Sequence, residues 1–301
     1  MSKTIGVIGL GSIGKRHAKS LVTMGHKVIG YDPNIVGLTS LYDVDGGKID
    51  LYSYEDILGA ADGYVIASPT PTHWEYASNF VGLATHVFVE KPIADRYYEK
   101  LYRVDMVGYN LRFHSCVKEA KRWIANEVPV WAYFTCAQKN NKPAYLRDGV
   151  ILNWSHEIDL ALYLLGPAKV VASSTRLSRG SIGDDAEGQD DITDILLLHQ
   201  NGCRTTIHLD YVTEPQERHF TIQCVGTRLK ADLIGNVLAE VPENGPPDIV
   251  NYPNTFDDNY IEEMQAFIDR IDGKETIGAT GEDGLRALEI CLEVRKQAGL
   301  P

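Results

Sequence analysis

The chain lacks the features that mark secreted, membrane-spanning or nucleic-acid-binding proteins. Cysteine is sparse: Cys116, Cys136, Cys203, Cys224 and Cys291 are its only five in 301 residues. Their number is odd, their spacing is wide and no CxxC pair occurs, which argues against a disulfide framework or a zinc knuckle. A reducing cytoplasm is the expected compartment. No apolar run reaches the ~18 residues of a membrane-spanning helix, so no membrane partner is expected. The opening MSKTIGVIGLGSIG breaks into glycines at once and reads as strand and turn, not as a secretory signal. Positive charge is also short. Lys and Arg number 29 against 41 Asp and Glu, for a net charge of −12. Such an acidic surface repels phosphate backbones, so no nucleic-acid partner is expected.

What is present is ordinary for a soluble globular protein: 44% hydrophobic and 23% charged residues. At roughly 100–200 residues per domain, the length implies two domains. Residues 1–115 alternate short apolar runs (TIGVIG, KVIGYD, GYVIAS, HVFVE) with helical stretches (SIGKRHAKSLVTM, YEDIL, THWEYASNFVGL). Strands alternating with helices imply βαβ units and a parallel sheet. Beyond about residue 125 the runs VPVWAYFTCA, KVVASSTRL, DITDILLLH, RTTIHLDYV and ERHFTIQCV follow one another with short turns, which implies an antiparallel sheet. One helix, near 154–165, interrupts that series and stops at Gly166-Pro167. VPENGPPDIVNYPN reads as loop, and helices near 257–272 and 281–298 close the chain. The expected class is α/β: a dinucleotide-binding domain over 1–115 and an α+β domain with an open, mostly antiparallel sheet over 116–301. The last helix is allowed to pack back on the first domain.

GLGSIG, residues 9–14, is a GxGxxG in the required setting. It follows a strand, opens a helix, and Asp32 ends the next strand. Gly9 permits the tight turn, Gly11 lets backbone approach a pyrophosphate, and Gly14 lets helix and strand close up. Ser12 and Ile13 open the helix, whose free N–H groups and dipole attract the anion. Asp32 suits a ribose diol and repels a 2′-phosphate, so NAD is the expected cofactor, with NADP as the alternative. A second signature, VEKPIA at 89–94, puts Glu90, Lys91 and Pro92 at a strand's C-terminal end, where open α/β sheets bind ligands.

With these pieces the chain resembles the glucose–fructose oxidoreductase / inositol dehydrogenase / MocA family. The matching motifs run in the family's order: GLGSIGKRH (9–17), SPTPTH (68–73), EKPIA (90–94), GYNLRF (108–113), GVILNWSHEIDL (149–160) and the closing helix pair. The resemblance implies a Rossmann domain, a C-terminal α/β domain, an active site between the two, and oxidation of a sugar or polyol hydroxyl with NAD or NADP. By motif position Ser68, Pro69, Thr70, Pro71 and His73 would line the nicotinamide side of the cofactor. Glu90 and Lys91 would stand beside the nicotinamide ribose and the reacting carbon. A cis Lys91–Pro92 bond is frequent in the family. Asn110 and Arg112 would face the cleft, Arg112 as a substrate contact or as an ion pair at the domain hinge. A homodimer or homotetramer is implied by the same analogy.

NWSHEID, residues 153–159, holds the candidate acid/base. His156-Glu157 invites comparison with HExxH, but the second histidine's place is Leu160, so no zinc-protease site forms and no metal is expected. Asn153 and His156 lie near one helix face. Hydride transfer from a carbinol needs a group that takes and returns the hydroxyl proton, and imidazole, with a reference pKa of about 6.5, does both. Lys91 would stabilise alkoxide charge or move the proton itself. Many family members carry Asp where this chain has Asn153, so the amide withholds a negative charge from His156. Lys91 and Asn110 stand only 19 positions apart, so this edge of the sheet is expected to be trimmed.

The expected function is therefore NAD-dependent hydride transfer to or from a sugar, polyol or nucleotide sugar. Two rivals accompany it: a redox-assisted lyase or glycosidase that retains its NAD, and a non-catalytic NAD-binding regulator. Specificity is expected from Tyr145, Arg147, Tyr211 and the 178–190 loop.

Overall fold

A computed structural model of the chain describes residues 1–42, 47–81, 85–139, 149–178 and 188–300. The chain forms two units, Met1–Phe113 with Thr255–Leu285, and His114–Asn254 with Arg286–Pro301.

The first unit begins β1 (Thr4–Ile8), α1 (Ser12–Thr23), β2 (Lys27–Tyr31), β3 (Ser40–Tyr42) and β4 (Lys48–Leu51). It continues α2 (Tyr54–Ile57), β5 (Gly63–Ile66), α3 (His73–Ala77), β6 (His86–Val89) and β7 (Met106–Val107). Its sheet runs β3-β4-β2-β1-β5-β6-β7, parallel except for β3. β5 and most of β6 are buried at successive positions, as strands covered on both faces must be, which is why GYVI and VFV read as unbroken apolar runs. α1 stops where Gly25 takes a left-handed φ of +83°. α2 is capped by Ser53, whose Oγ accepts the Asp56 N–H at 3.1 Å. The helix expected over 72–83 is α-helical only through Ala77. Beyond it, Ser78 Oγ and Asn79 Nδ2 both donate to the Glu75 carbonyl oxygen, and such local side-chain bonds compete with helix propagation. Between Lys91 and Asn110 there is only a 3₁₀ turn, Leu101–Arg103, and the two-residue β7.

The second unit comprises α4 (Ser115–Ile124), β8 (Pro129–Ala137), α5 (Gly149–Asn153), α6 (Ser155–Leu165), β9 (Ala168–Leu177), β10 (Asp190–His199) and β11 (Arg204–Asp210). β12 (Glu217–Cys224), β13 (Thr227–Asp232), β14 (Val237–Pro242) and β15 (Asp248–Asn251) complete its sheet. The strand order is β15-β14-β13-β12-β8-β11-β10-β9, antiparallel except for the β8–β11 pair. Its strands alternate: Ile195 and Leu197 of β10 and Ile207 and Leu209 of β11 are buried, with less buried residues between them. The loop expected over 241–254 is corrected by β15. All four of its residues are exposed, so this edge strand carries no buried period by which to be read.

The chain then returns to the first unit. Helix α7 (Phe256–Ile271) starts at a reciprocal capping box between Thr255 and Asp258. It places Met264, Phe267 and Ile268 in one apolar cluster with Ile5, Leu21, Val65 and Phe88. Helix α8 (Gly281–Gln297) ends the ordered elements. Among the described residues no helix is long and apolar enough to cross a membrane. All five cysteines are buried, and none is in a disulfide.

Candidate active site

In the first unit the site starts from backbone. Gly9 has a φ of +90°, donates its N–H to the Tyr31 carbonyl at 2.8 Å, and leaves a side chain no room, since a Cβ would lie 2.7 Å from the Ser68 nitrogen. A Cβ on Gly14 would lie 1.8 Å from the Gly9 oxygen, so α1 can approach the turn only over glycine. At Gly11 a Cβ would meet nothing within 4 Å. The space beside the turn is open there, and Gly11, the N-cap of α1, has no side chain with which to cap the helix's first N–H groups. Such a helix start is a cradle for an anion. The half-buried Asp32 accepts the Leu10 N–H at 2.8 Å and the Asn34 N–H at 2.9 Å, so its carboxylate is already oriented beside the loop. Tyr31, Tyr54 and Tyr76 cluster with ring centroids 5.1 to 6.3 Å apart. Burial, then the neighbouring Tyr31, Glu75 and Asp32, push the Tyr76 hydroxyl's pKa up.

The SPTPTH and EKP turns are tied together. Pro69 precedes a 3₁₀ turn, Thr70–Thr72, and the Thr72 hydroxyl donates to Ser68 Oγ at 2.9 Å. His73 is buried. Its Nδ1 lies 2.9 Å from the Pro92 oxygen and its Nε2 2.7 Å from the Ser68 oxygen, so its ring brackets the two turns. Lys91–Pro92 is cis. The Glu90 carboxylate takes the Lys91 N–H on Oε2 at 3.0 Å and His17 Nε2 on Oε1 at 2.6 Å. Burial alone would raise the Glu90 pKa; the hydrogen bond and charge of His17, with Lys91, outweigh it and hold the carboxyl below its ordinary range. The Lys91 side chain is half-buried. Asn110 is buried and bonded to the Tyr260 hydroxyl. Arg112 is buried and pairs with Asp283 of the same unit at 3.2 Å. Burial opposes ionisation of Asp283, but Arg112 and the Thr280 hydrogen bonds prevail and hold its pKa low.

In the second unit the short helix α5, just before the helix α6 that carries His156, sits in a side-chain network. Gly149, at φ +75°, packs on the Asp190 carboxylate, where a Cβ would come within 2.0 Å of Oδ1. Asp190 Oδ2 accepts the Ile151 N–H at 2.8 Å. Burial raises the Asp190 pKa against that hydrogen bond. The Tyr211 hydroxyl donates to the Gly149 carbonyl at 3.0 Å and accepts from Asn153 Nδ2 at 2.7 Å. This accounts for the amide at 153. The Tyr211 proton is used by a carbonyl, so its partner must be a donor, and Asn is one where ionised Asp is not. His156 is half-buried one turn further on. Glu157 is buried and takes Arg218 in a two-pronged pair at 2.7 and 3.1 Å, so the glutamate of HE is a structural anchor.

Sequence reasoning overlooked His17, Glu263 and Asp190 and gave Tyr211 no partner. His17, Glu90 and Glu263 hold potential ligand atoms within 4.8 Å of one another, all buried. His17 sits at i+3 from Gly14 on the inner face of α1, a readable position; its partner 73 residues away is not. Tyr145 and Arg147 lie outside the described residues, as does most of the 178–190 loop.

Comparison with known proteins agrees across the chain. The family described as "Oxidoreductase family, NAD-binding Rossmann fold" (GFO_IDH_MocA) matches residues 3–105. Its partner description, "Oxidoreductase family, C-terminal alpha/beta domain", matches residues 130–298. Myo-inositol 2-dehydrogenase of Thermotoga maritima is 25% identical over 331 residues, covering 97% of this chain and 95% of its own. The solved UDP-N-acetylglucosamine 3-dehydrogenase of Acidithiobacillus ferrooxidans superposes with a TM-score of 0.81 at 19% identity, covering 99% of this chain and 98% of its own. A levoglucosan dehydrogenase solved with NADH gives a TM-score of 0.85 at 16% identity, covering 99% and 97%. At those identities the structural likeness speaks for the fold.

Proposed function

The chain belongs to the GFO_IDH_MocA oxidoreductase family, and from that premise we propose NAD-dependent hydride transfer to or from a sugar, polyol or nucleotide-sugar carbon. One observation carries the reading. The glycine loop, Asp32, Ser68 and Glu90-Lys91 follow β1, β2, β5 and β6, four neighbouring parallel strands, so all leave the sheet at the same edge. Ligands of open α/β sheets bind at that carboxyl edge.

The fit to NAD rests on the open space at Gly11 and the uncapped start of α1. The N–H groups of Ser12 and Ile13 would hold the pyrophosphate, with Gly9, Gly11 and Gly14 shaping the turn. Asp32 would hold the adenosine ribose and disfavour a 2′-phosphate, so NAD is preferred to NADP. Tyr31, Tyr54 and Tyr76 offer an aromatic surface at the same edge. Ser68, Pro69 and Thr70 would border the nicotinamide half, with His73 holding their turn. When bound, NAD supplies the hydride acceptor and NADH the donor. Lys91 would hold the substrate oxygen and stabilise its developing negative charge. His156 would take the hydroxyl proton on oxidation and return it on reduction, oriented with the aid of Asn153. Asn110 and Arg112 have their side chains committed to Tyr260 and Asp283, and their part in substrate binding would be to shape the surface near Lys91.

The test is a panel of free sugars, polyols, sugar phosphates and nucleotide sugars, read by NADH absorbance with NAD and with NADP. Turnover on at least one of them, faster with NAD, is expected. NAD binding without turnover on any would overturn the enzymatic reading. The same reading holds the chain to be a cytoplasmic homodimer or homotetramer. Its buried cysteines outside any disulfide suit a reducing compartment, and Trp131 and Val171 leave apolar surface on the second unit's sheet. Light scattering measures the assembly.

A further inference from the structure

We propose that His17 is a positioning residue for this reaction: acting through the Glu90 carboxylate, it fixes the backbone from which Lys91 works. The inference rests on the functional reading above and adds a residue to it.

The path from His17 to Lys91 is two hydrogen bonds long, and every part of it is confined. The His17 ring is completely buried and meets the rings of Phe88 and Tyr260 edge-on, with centroids 5.2 and 5.5 Å away. Its Nε2 lies 2.6 Å from Glu90 Oε1. The other oxygen, Oε2, accepts the Lys91 N–H at 3.0 Å. A Cβ on Gly108 would lie 2.9 to 3.0 Å from the Glu90 carboxyl atoms, so the carboxylate also has close backbone on its flank. A carboxylate held at both oxygens against neighbouring backbone cannot turn without releasing the Lys91 amide.

Stability alone does not call for this arrangement. A buried carboxylate held by an imidazole contributes about as much as an apolar pair of similar volume, or less, because desolvation offsets the attraction. Glu263 adds a third buried titratable group within 4.8 Å, which makes the cluster costlier still as mere filling. What the carboxylate provides that an apolar pair cannot is a directional acceptor for one particular amide, that of Lys91. His17 in turn supplies the N–H that holds the carboxylate in line.

A metal ion is the competing occupant of these three side chains. Two ligand atoms on one tetrahedral ion, each about 2.0–2.1 Å from it, would stand about 3.3 Å apart. The His17–Glu90 separation of 2.6 Å is that of a direct hydrogen bond.

The test compares His17→Gln with His17→Asn. Both keep a neutral amide, but only Gln has the reach of Nε2. Two readouts are taken: amide-proton exchange at Lys91 by NMR, which needs no turnover, and kcat beside KM for NAD and for the substrate found in the panel. In His17→Asn, Lys91 exchange should rise by about 10-fold or more as its acceptor is freed, and kcat should fall by about 10- to 100-fold with KM for NAD nearly unchanged. His17→Gln should recover both to within about threefold. Equal Lys91 exchange in the two variants overturns the proposal, and so does faster exchange in His17→Asn with unaltered kcat. A stoichiometric divalent metal in the purified wild-type protein also overturns it. If wild type turns over no sugar, the functional reading falls and takes the catalytic half of this proposal with it, while Lys91 exchange still decides whether His17 holds that backbone.

Discussion

Two regions of this molecule prepare chemistry in opposite ways. The glycine loop of the first unit is held by what is missing: no side chain fits at Gly9 or Gly14, and the backbone closes on itself. The short helix α5 that precedes the His156 helix in the second unit is held by what is added: Asp190 and Tyr211, far along the chain, bond to its Ile151, Gly149 and Asn153. The first device needs no particular partner, only the absence of a Cβ. The second needs every partner to match in donor and acceptor sense. A backbone site should therefore fail abruptly when any side chain is added, and a network site should fail in steps as single bonds are removed.

The largest expected effect tests the backbone half. Gly14→Val puts a side chain where a Cβ already lies 1.8 Å from the Gly9 oxygen. About 1–3 kcal/mol of overpacking should appear as lower thermal stability. NAD affinity should fall by at least about tenfold, since each 1.4 kcal/mol of distortion in the cradle is a factor of ten. Wild-type NAD binding by calorimetry would show that α1 does not need this close approach. Next in size, His156→Ala should leave NAD affinity nearly intact and lower kcat by about 10²-fold. Unaltered turnover would end its proton-transfer role. Tyr211→Phe removes one hydroxyl and with it two hydrogen bonds, at about 1–2 kcal/mol of stability. Because Asn153 and the Gly149 carbonyl both lose a partner, kcat should fall less than in His156→Ala and more than the NAD affinity does. Equal losses in both would mean that the network serves folding alone.

The smallest effect comes from a histidine bonded to Asp210, the residue before Tyr211. On the second unit's sheet, burial pulls the His208 pKa down. Its hydrogen bonds to Asp194 (2.7 Å) and Asp210 (3.0 Å) outweigh that and raise it above the ordinary value. A raised histidine stabilises fully below about pH 6.5, and the contribution is lost as pH rises through its folded pKa. With Asp194 half exposed, about 0.5 kcal/mol is expected. In thermal melts the stability of wild type relative to His208→Gln should fall by that increment between pH 6 and pH 9. A difference that stays constant across the range would remove His208 as its source.

Legibility follows the same division. GLGSIG was readable because each glycine answers a local steric demand, and the strand before it and the helix after it are adjacent in sequence. EKP was readable as a turn at a strand end, but the bond from Glu90 to His17 was not, since it spans 73 residues. Asn153 looked like a loss, a carboxylate missing beside His156. Beside Tyr211, 58 residues away, it is the donor that a hydroxyl already committed to Gly149 requires. β15 escaped because an edge strand with all its side chains exposed has no buried period to display.

The sequence by itself determined the βαβ rhythm of the first unit, the strand-rich second unit, the dinucleotide turn and the family. These follow from steric and hydrophobic rules that act within a few residues, and they leave their period in the chain. Only the tertiary structure decided which polar groups meet. It set His17 on Glu90, Arg112 on Asp283, Glu157 on Arg218 and Asn153 on Tyr211. A buried polar group must find a partner of opposite hydrogen-bonding sense wherever the fold brings one, and sequence distance does not limit that choice.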